Sequence, residues 1–214
     1  MSLTPPELPQ DAAYTPYWCE ENVYLLIQLF SQNSSLSEIW EVFAVFISNY
    51  SETVALWNQK LSKEPGQPVI WDYHVVAVLR PRNFSSNLHS WVYDFDTKLD
   101  LPVTWDTYFA RTFLNNVPDE FQSLFRVVSA NVYLDRFASD RSHMLAAIPP
   151  GTLPNLNYLQ PVPPYPPLRG PQCMTTHNLM HFVSMLSSHG HGDVYDMKGI
   201  SGFFCLREDP ELPL

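Results

Sequence analysis

Three residue types that cooperate in nucleophilic amide hydrolysis occur at positions that could bring them together. Cys19 comes immediately before a predicted helix, whose unpaired backbone N–H groups and positive dipole end would stabilise a thiolate and hold an oxyanion. His74 lies inside a predicted strand, where its ring nitrogens need partners. Asp94 and Asp96 fall on one face of the next predicted strand, where a carboxylate could orient the imidazole. The spacing does not decide between the two aspartates.

Each of these residues also has an ordinary structural interpretation when it is taken alone. A free cysteine is commonly a small buried hydrophobic residue, and a strand histidine is more often structural than catalytic. Glu20 and Glu21 favour the helix terminus but partly oppose a thiolate at Cys19, so a base is still needed. Together, however, a cysteine at a helix start, a histidine on a strand and an aspartate on the next strand match papain-like and transglutaminase-like enzymes.

A second cluster of side chains suggests a different chemistry, a metal site. His177 and His181 are four residues apart on a predicted helix, His189 and His191 follow, and Cys173 precedes them. Histidines at such a spacing can bind zinc. Two glycines nevertheless make the second histidine pair part of a loop, and the spacing matches no defined structural zinc site. We therefore predict no metal and no cofactor.

The first two predicted elements are helices. Residues 20–30 carry apolar side chains at i, i+3, i+4 and i+7, which predicts an amphipathic helix directly after the cysteine. Residues 39–61 repeat large apolar side chains at helical spacing, which predicts a second, long helix. Ser35 and Glu38 would form its capping box, and Pro65 and Gly66 would end it.

The chain then changes from helical to strand character. Residues 69–79 and 91–96 are rich in β-branched and aromatic side chains and predict two antiparallel neighbours, with a third strand over residues 125–129. On the first strand, Asp72 and His74 would share one face, and Trp71 would take the other. Shorter helices are predicted over residues 104–114, 131–137 and 176–185.

The chain length of 214 residues is sufficient for one compact domain with a substantial core. Residues 1–16 are proline-rich and predict an irregular arm. Residues 149–171 are also proline-rich, and we interpret them as a surface segment that wraps the domain and not as a linker. We therefore predict one catalytic domain over residues 1–214, an α+β fold in which helices pack on a mostly antiparallel sheet, like that of papain-like or transglutaminase-like enzymes.

The composition excludes several classes of protein. The formal net charge of −10, from 22 acidic and 12 basic residues, argues against a nucleic-acid-binding protein. The sequence contains neither a signal peptide pattern nor a long apolar run, and its three cysteines are too few for a disulfide framework. We expect a monomeric protein of the cytoplasm, or of the cytoplasm and nucleus, that binds no membrane. Its acidic surface would attract a cationic group such as a free α-ammonium.

Short blocks of sequence resemble one protein family. Residues 71–75, Trp-Asp-Tyr-His-Val, spell the pentapeptide that names the WDYHV-motif proteins, the protein N-terminal glutamine amidohydrolases. Other blocks similar to that family follow in the family order, at residues 17–23, 93–97, 136–144 and 163–166. The resemblance extends over roughly residues 14 to 186. The segment 80–89 and the histidine-rich tail look like departures from the family pattern.

The resemblance implies an activity and a role for each candidate residue. It implies that Cys19 is the nucleophile, that His74 is the base, and that Asp94 and not Asp96 is the third member. The implied reaction converts the N-terminal glutamine of a protein or peptide to glutamate through a thioester and releases ammonia. The resemblance also implies a place in the N-degron pathway, in which the new glutamate is arginylated, and it calls for no metal.

Recognition of a chain terminus would require a group that holds the substrate α-ammonium. Glu20, Glu21, Asp72 and Asp140 are candidates, and each could equally be a helix-end or surface carboxylate. Asp140 could instead brace a loop through Arg141. Two alternative functions remain open: a cysteine peptidase with the same three residues, and a non-catalytic module whose proline-rich segment binds aromatic grooves.

Overall fold

The fold is described by a computed structural model that covers residues 3–83, 88–114, 116–146 and 157–205. The α-helices of these residues are α1 (Cys19–Ser31), α2 (Ser34–Ile39), α3 (Trp105–Thr112), α4 (Ala130–Arg136), α5 (Leu179–Val183) and α6 (Met197–Phe204). The strands are β1 (Trp40–Ser48), β2 (Val54–Leu56), β3 (Val69–Trp71), β4 (His74–Pro81), β5 (Trp91–Tyr93), β6 (Val103–Thr104), β7 (Leu124–Ser129) and β8 (Asp193–Tyr195). None of these helices has the length and apolar character that crossing a bilayer requires.

One six-stranded antiparallel sheet organises the structure. Its strand order is β6-β5-β4-β1-β7-β8, and β2 and β3 pair separately as a second small sheet. Helices α1, α4 and α5 bury apolar side chains against one face of the large sheet, and α3 and α6 cover the other face. The predicted α+β class with a mostly antiparallel sheet is therefore confirmed.

The predicted long helix over residues 39–61 is wrong. Helix α2 ends at Ile39, and the next nine residues form β1 at the centre of the sheet. Both faces of this strand are buried: Phe43, Val45 and Ile47 contact the core under α3 and α6, whereas Ala44 and Phe46 contact the core under α1. A strand buried on both faces has a continuous apolar run, and such a run satisfies helical spacing as well as strand spacing. The N-cap of α2 is Asn33, whose side chain accepts from the Ser35 N–H at 3.1 Å, and not the predicted capping box.

The predicted strand over residues 69–79 is divided between the two sheets. Strand β3 pairs with β2, the chain turns at Asp72 and Tyr73, and β4 begins at His74. Because of this break, the side chains of residues 71–75 do not alternate between two faces of one strand. Trp71, predicted on the face opposite His74, instead stacks on its imidazole, with ring centroids 5.0 Å apart. The Ser48 hydroxyl donates to the Asp72 carbonyl at 2.6 Å and holds the break against the centre of the sheet.

The other predicted elements are present with shifted bounds. Strand β5 pairs with β4 as expected, but it ends at Tyr93, so Asp94 and Asp96 lie in the turn that follows. Strand β7 is the third predicted strand, and its neighbour is β1. Helices α1, α3 and α4 match their predictions closely, whereas the helix expected over residues 176–185 is reduced to the five residues of α5.

The two irregular segments lie against the domain. Residues 3–16 form no helix or strand, and Tyr14 stacks on Phe95 with its hydroxyl donating to Asp96 at 2.7 Å. In the proline-rich segment, residues 157–171 follow the surface, where the Trp18 indole N–H donates to the Pro161 carbonyl at 2.8 Å. Part of that segment (149–156) and part of the predicted departure from the family pattern (84–87) lie outside the described residues.

Candidate active site

His74 and Asp94 form a buried pair where β4 begins and β5 ends. The imidazole Nε2 lies 2.8 Å from Asp94 Oδ1, and both side chains are at most 1% exposed. Three further donors fix the carboxylate: the Gln59 amide at 3.1 Å, the Tyr108 hydroxyl at 2.9 Å and the Asp96 backbone N–H at 2.9 Å. A buried carboxylate that accepts this many hydrogen bonds is held as an anion in one orientation.

The pair determines which imidazole nitrogen can act as a base. Burial by itself lowers the pKa of His74, but the charge and hydrogen bond of Asp94 outweigh it and raise that pKa above its ordinary value. Burial likewise raises the pKa of Asp94, and the contacts with His74 and Gln59 hold it below the usual range. Because Asp94 can only accept, neutral His74 carries its proton on Nε2. The buried Nδ1 has no hydrogen-bond partner among the described residues and is therefore a free acceptor.

Cys19 is the first residue of α1 and is 6% exposed. Its Sγ accepts a hydrogen bond from the backbone N–H of Val75, the residue after His74, and lies 3.7 Å from Glu20 Oε2. Burial and the Glu20 carboxylate raise the pKa of the thiol, and the Val75 contact opposes them. The side chain of Trp18 forms no cap hydrogen bond, which leaves first-turn N–H groups of α1 available to another acceptor.

A cavity of about 500 Å³ opens onto Cys19. Its walls include the end of β3, Tyr17 in the turn before α1, and His143 and Met144 from the motif block at residues 136–144. Among the described residues that line it, none is a lysine or an arginine, and the acidic members are the exposed Glu52 and Asp72. The cavity therefore suits a small group that carries positive charge.

The four candidate ammonium-binding carboxylates separate into two groups. Glu20 is completely buried beside the thiol, and Asp72 lines the cavity. Glu21 points away from it and forms a bidentate ion pair with Arg141, at 2.9 and 2.8 Å. Asp140 does not line the cavity; it accepts from a backbone N–H two residues later at 3.0 Å. The expected brace through Arg141 thus exists, but its partner is Glu21 and not Asp140.

The groups that could bind a metal have other roles. His74, Asp94 and Asp96 place ligand atoms within 4.8 Å of one another. The oxygens of Asp94 are already occupied by His74, Gln59, Tyr108 and a backbone N–H, so this group is a hydrogen-bonded network. Within the described part of the chain, no three of the predicted alternative ligands converge; these are Cys173, His177, His181, His189 and His191.

Comparison with known proteins identifies the family to which this chain is related. A family model described as N-terminal glutamine amidase matches residues 14–204. This chain belongs to the N-terminal glutamine amidase family. Among its relatives, the protein N-terminal glutamine amidohydrolase of Homo sapiens is 38% identical over 200 residues, covering 90% of this chain and 88% of the relative. The proteins of the same name from Danio rerio (36% over 196 residues, 91% and 90%) and Drosophila mojavensis (35% over 196 residues, 91% and 89%) are similar.

In this member of the amidase family, the pentapeptide at residues 71–75 contributes both to the His74–Asp94 pair and to the contacts around Cys19. Trp71 stacks on the face of the His74 imidazole, whose edge atom Nε2 bonds to Asp94. The Tyr73 hydroxyl donates to the Glu20 carboxylate at 3.1 Å, and the N–H of Val75 donates to the thiol. The motif therefore connects the helix that carries the cysteine with the strand that carries the histidine.

Gln59 and Tyr108, which hold the carboxylate of Asp94, had not been anticipated from the sequence. They lie 35 and 14 residues from Asp94, in a loop and in α3, and neither belongs to a recognised block. Only the requirement that a buried carboxylate be satisfied could have indicated that such donors exist.

We expect replacement of Arg141 by methionine to destabilise this amidase-family fold by about 3–5 kcal/mol, because it leaves the Glu21 carboxylate buried without a partner. Urea unfolding monitored by circular dichroism measures the change. Arg111→Met is the control, since Arg111 is exposed, and its unfolding free energy should stay within about 0.5 kcal/mol of the wild type. Equal effects of the two substitutions would refute the structural role of the ion pair.

Proposed function

We propose that this chain hydrolyses the side-chain carboxamide of glutamine at the N-terminus of a protein or peptide, leaving glutamate and releasing ammonia. The family match supports the activity, because it includes Cys19, His74 and Asp94 and because the relatives bear that activity in their names. The observation that carries the chemistry is the geometry of the buried His74. Its Nε2 bonds to Asp94, its Nδ1 has no hydrogen-bond partner in the described part of the chain, and the next residue of the strand contacts the thiol.

In the first half of the proposed reaction, the imidazole acts as a base. His74 Nδ1 takes the proton of the Cys19 thiol, and the sulfur attacks the carboxamide carbon. The oxyanion of the tetrahedral intermediate accepts from N–H groups in the first turn of α1. The C–N bond then breaks, and protonated His74 gives its proton to the departing nitrogen, which leaves as ammonia. The product of this half-reaction is a γ-glutamyl thioester.

In the second half, water replaces the thiol. His74 takes a proton from water, the resulting hydroxide attacks the thioester carbon, and the C–S bond breaks. The sulfur recovers its proton from His74, and N-terminal glutamate departs. Asp94 remains ionised throughout, holds the imidazole in the Nε2–H tautomer and stabilises the imidazolium that forms in both halves.

We place the enzyme in the cytoplasm or nucleus, in the N-degron pathway, with proteins that carry N-terminal glutamine as its partners. The three free cysteines are compatible with a reducing compartment. The restricted cavity and its acidic rim favour a single terminal side chain over the extended substrate of a peptidase.

A panel of synthetic peptides tests the proposal. Purified protein is incubated with a peptide that begins with glutamine, one that begins with asparagine, and one that carries glutamine internally. We expect ammonia only from the first peptide, with no new peptide termini detected by mass spectrometry. Cleavage of any peptide bond would replace the proposal by a cysteine peptidase, and failure to release ammonia from the first peptide would refute it.

A further inference from the structure

Glu20 is a buried carboxylate with one unsatisfied oxygen next to the reactive thiol. The residue has no exposed surface, and its Oε2 accepts from the Tyr73 hydroxyl at 3.1 Å and lies 3.7 Å from Cys19 Sγ. Its Oε1 has no hydrogen-bond partner among the described residues. Burying a carboxylate costs several kcal/mol unless each oxygen is paired, so this oxygen points to a missing partner.

One imidazole lies close to that oxygen without forming a hydrogen bond to it. His143 Nε2 is 3.4 Å from Glu20 Oε1, within ion-pair distance if the ring is protonated, and neither ring nitrogen has a hydrogen-bond partner among the described residues. His143 lines the same cavity as Cys19. Glu20 itself is not among the residues that line the cavity, but its carboxylate lies next to two side chains that do, the Cys19 thiol and the His143 imidazole.

We infer that Glu20 binds the α-ammonium of the substrate and thereby makes a free N-terminus a condition for attack by Cys19. This inference rests on the proposed function. In glutamine, four single bonds separate the α-nitrogen from the carboxamide carbon, a distance of at most about 5 Å. An ammonium paired with Glu20 and a carboxamide carbon at Sγ are therefore compatible with one bound residue, given the 3.7 Å between the carboxylate and the sulfur.

The position of Glu20 in the fold suits a group that attracts an ammonium. It lies in the first turn of α1, where the helix dipole stabilises negative charge. The same charge raises the pKa of the neighbouring thiol. A bound ammonium would offset that charge, so the group that identifies a chain terminus would also favour ionisation of Cys19.

The other carboxylates fit this role less well. Both oxygens of Glu21 are bonded to Arg141, and both oxygens of Asp140 have partners, the backbone N–H of Ser142 and the hydroxyl of Thr176. Asp72 lines the cavity, but it is exposed, and the attraction between an exposed carboxylate and an ammonium is weakened by solvent and salt.

A comparison of two peptides and two enzymes tests the inference. One peptide begins with glutamine, and its matched partner begins with the desamino analogue, in which hydrogen replaces the α-amine. For Glu20→Gln, we expect kcat/KM on the glutamine peptide to fall about 10- to 100-fold, the value of one charged hydrogen bond. The loss on the desamino peptide should be several-fold smaller. Equal losses on both peptides would overturn the inference, because they would assign Glu20 a structural or carboxamide-binding role.

Asp72→Asn provides the comparison at a second carboxylate of the same cavity. The measured quantity is the ratio of kcat/KM on the glutamine peptide to kcat/KM on the desamino peptide. If this ratio falls further in Asp72→Asn than in Glu20→Gln, the ammonium is assigned to Asp72 and the inference is refuted. Circular dichroism establishes that each variant is folded. If Glu20→Gln does not fold, Glu20→Asp retains the charge on a shorter side chain, and it should show a reduced but measurable preference for the amine.

Binding measured without turnover separates this inference from the proposed function. Calorimetric titration of the Cys19→Ala protein with the two peptides should show a lower dissociation constant for the glutamine peptide than for the desamino peptide. The Cys19→Ala, Glu20→Gln double variant should bind the two peptides with similar dissociation constants. An undiminished difference would refute the role of Glu20. Absence of ammonia release by the wild-type protein would refute the proposed function and leave this titration valid.

Discussion

Replacement of Cys19 by alanine is expected to abolish ammonia release from glutamine-initiated peptides, with kcat falling by roughly 10⁵-fold or more. The substitution removes the atom that forms the proposed thioester, and none of the other groups around the cavity can replace it. The fold should persist, because alanine occupies the space of a small buried residue at the start of a helix. Ammonia release measured under single-turnover and steady-state conditions checks the expected loss.

Cys173 provides a matched control for the thiol. It is also buried and free, but its sulfur contacts Thr175 and Asn178 and lies outside the cavity. Cys173→Ala should retain activity, and a thiol-alkylating reagent that inactivates the wild type should inactivate this variant equally. Near-normal activity of Cys19→Ala would eliminate the proposed mechanism.

Replacement of Asp94 by asparagine is expected to lower kcat by roughly 10³- to 10⁴-fold, although it nearly preserves the shape of the side chain. An amide cannot stabilise an imidazolium. Its NH₂ group can also donate to Nε2, which would move the imidazole proton to Nδ1, the atom that must accept from the thiol. The Asp96→Asn variant is the control, since the hydrogen bonds of the described residues join the imidazole to Asp94, and Asp96 accepts from the Tyr14 hydroxyl instead. A larger loss in Asp96→Asn than in Asp94→Asn would contradict the assignment.

The Asp94→Asn substitution should also shift the ascending limb of the kcat/KM pH profile to lower pH. Because Asp94 raises the pKa of His74 above 6.5, the ascending limb of kcat/KM in the wild type should lie at a higher pH than that of an ordinary histidine. Without the carboxylate, the imidazole loses its proton more readily, so the limb should move to lower pH. A limb that stays in place would show that another group controls the titration of the Cys–His pair.

How far the sequence predicts this fold depends on how many faces of each element are buried. Helix α1 was predictable because its exposed side carries polar residues such as Gln28, which makes the apolar stripe visible. Strand β1 was not, because helices cover both faces of the sheet and the strand has no polar face to reveal its period. The burial of β1 on both faces therefore explains why the sequence wrongly predicts a long helix over residues 39–61.

The candidate site shows a similar division between local and tertiary information. The motif blocks predict which side chains form the site. Strand alternation cannot separate Asp94 from Asp96, because β5 ends at Tyr93 and alternation no longer applies beyond it. In the turn, the backbone N–H of Asp96 bonds back to the Asp94 carboxylate, which leaves Asp94 facing His74. The donors from Gln59 and Tyr108 arise only when distant segments pack together.

The burial of Cys19 has a consequence for the lifetime of the protein in an oxidising cell. Hydrogen peroxide attacks the ionised form of sulfur, and a low pKa is what makes most catalytic cysteines vulnerable to sulfenic acid formation. Here burial and the adjacent carboxylate raise the pKa of the thiol, so the idle enzyme presents the less reactive form. We therefore expect hydrogen peroxide to oxidise Cys19 in the unliganded protein more slowly than it oxidises a thiol whose pKa is lowered.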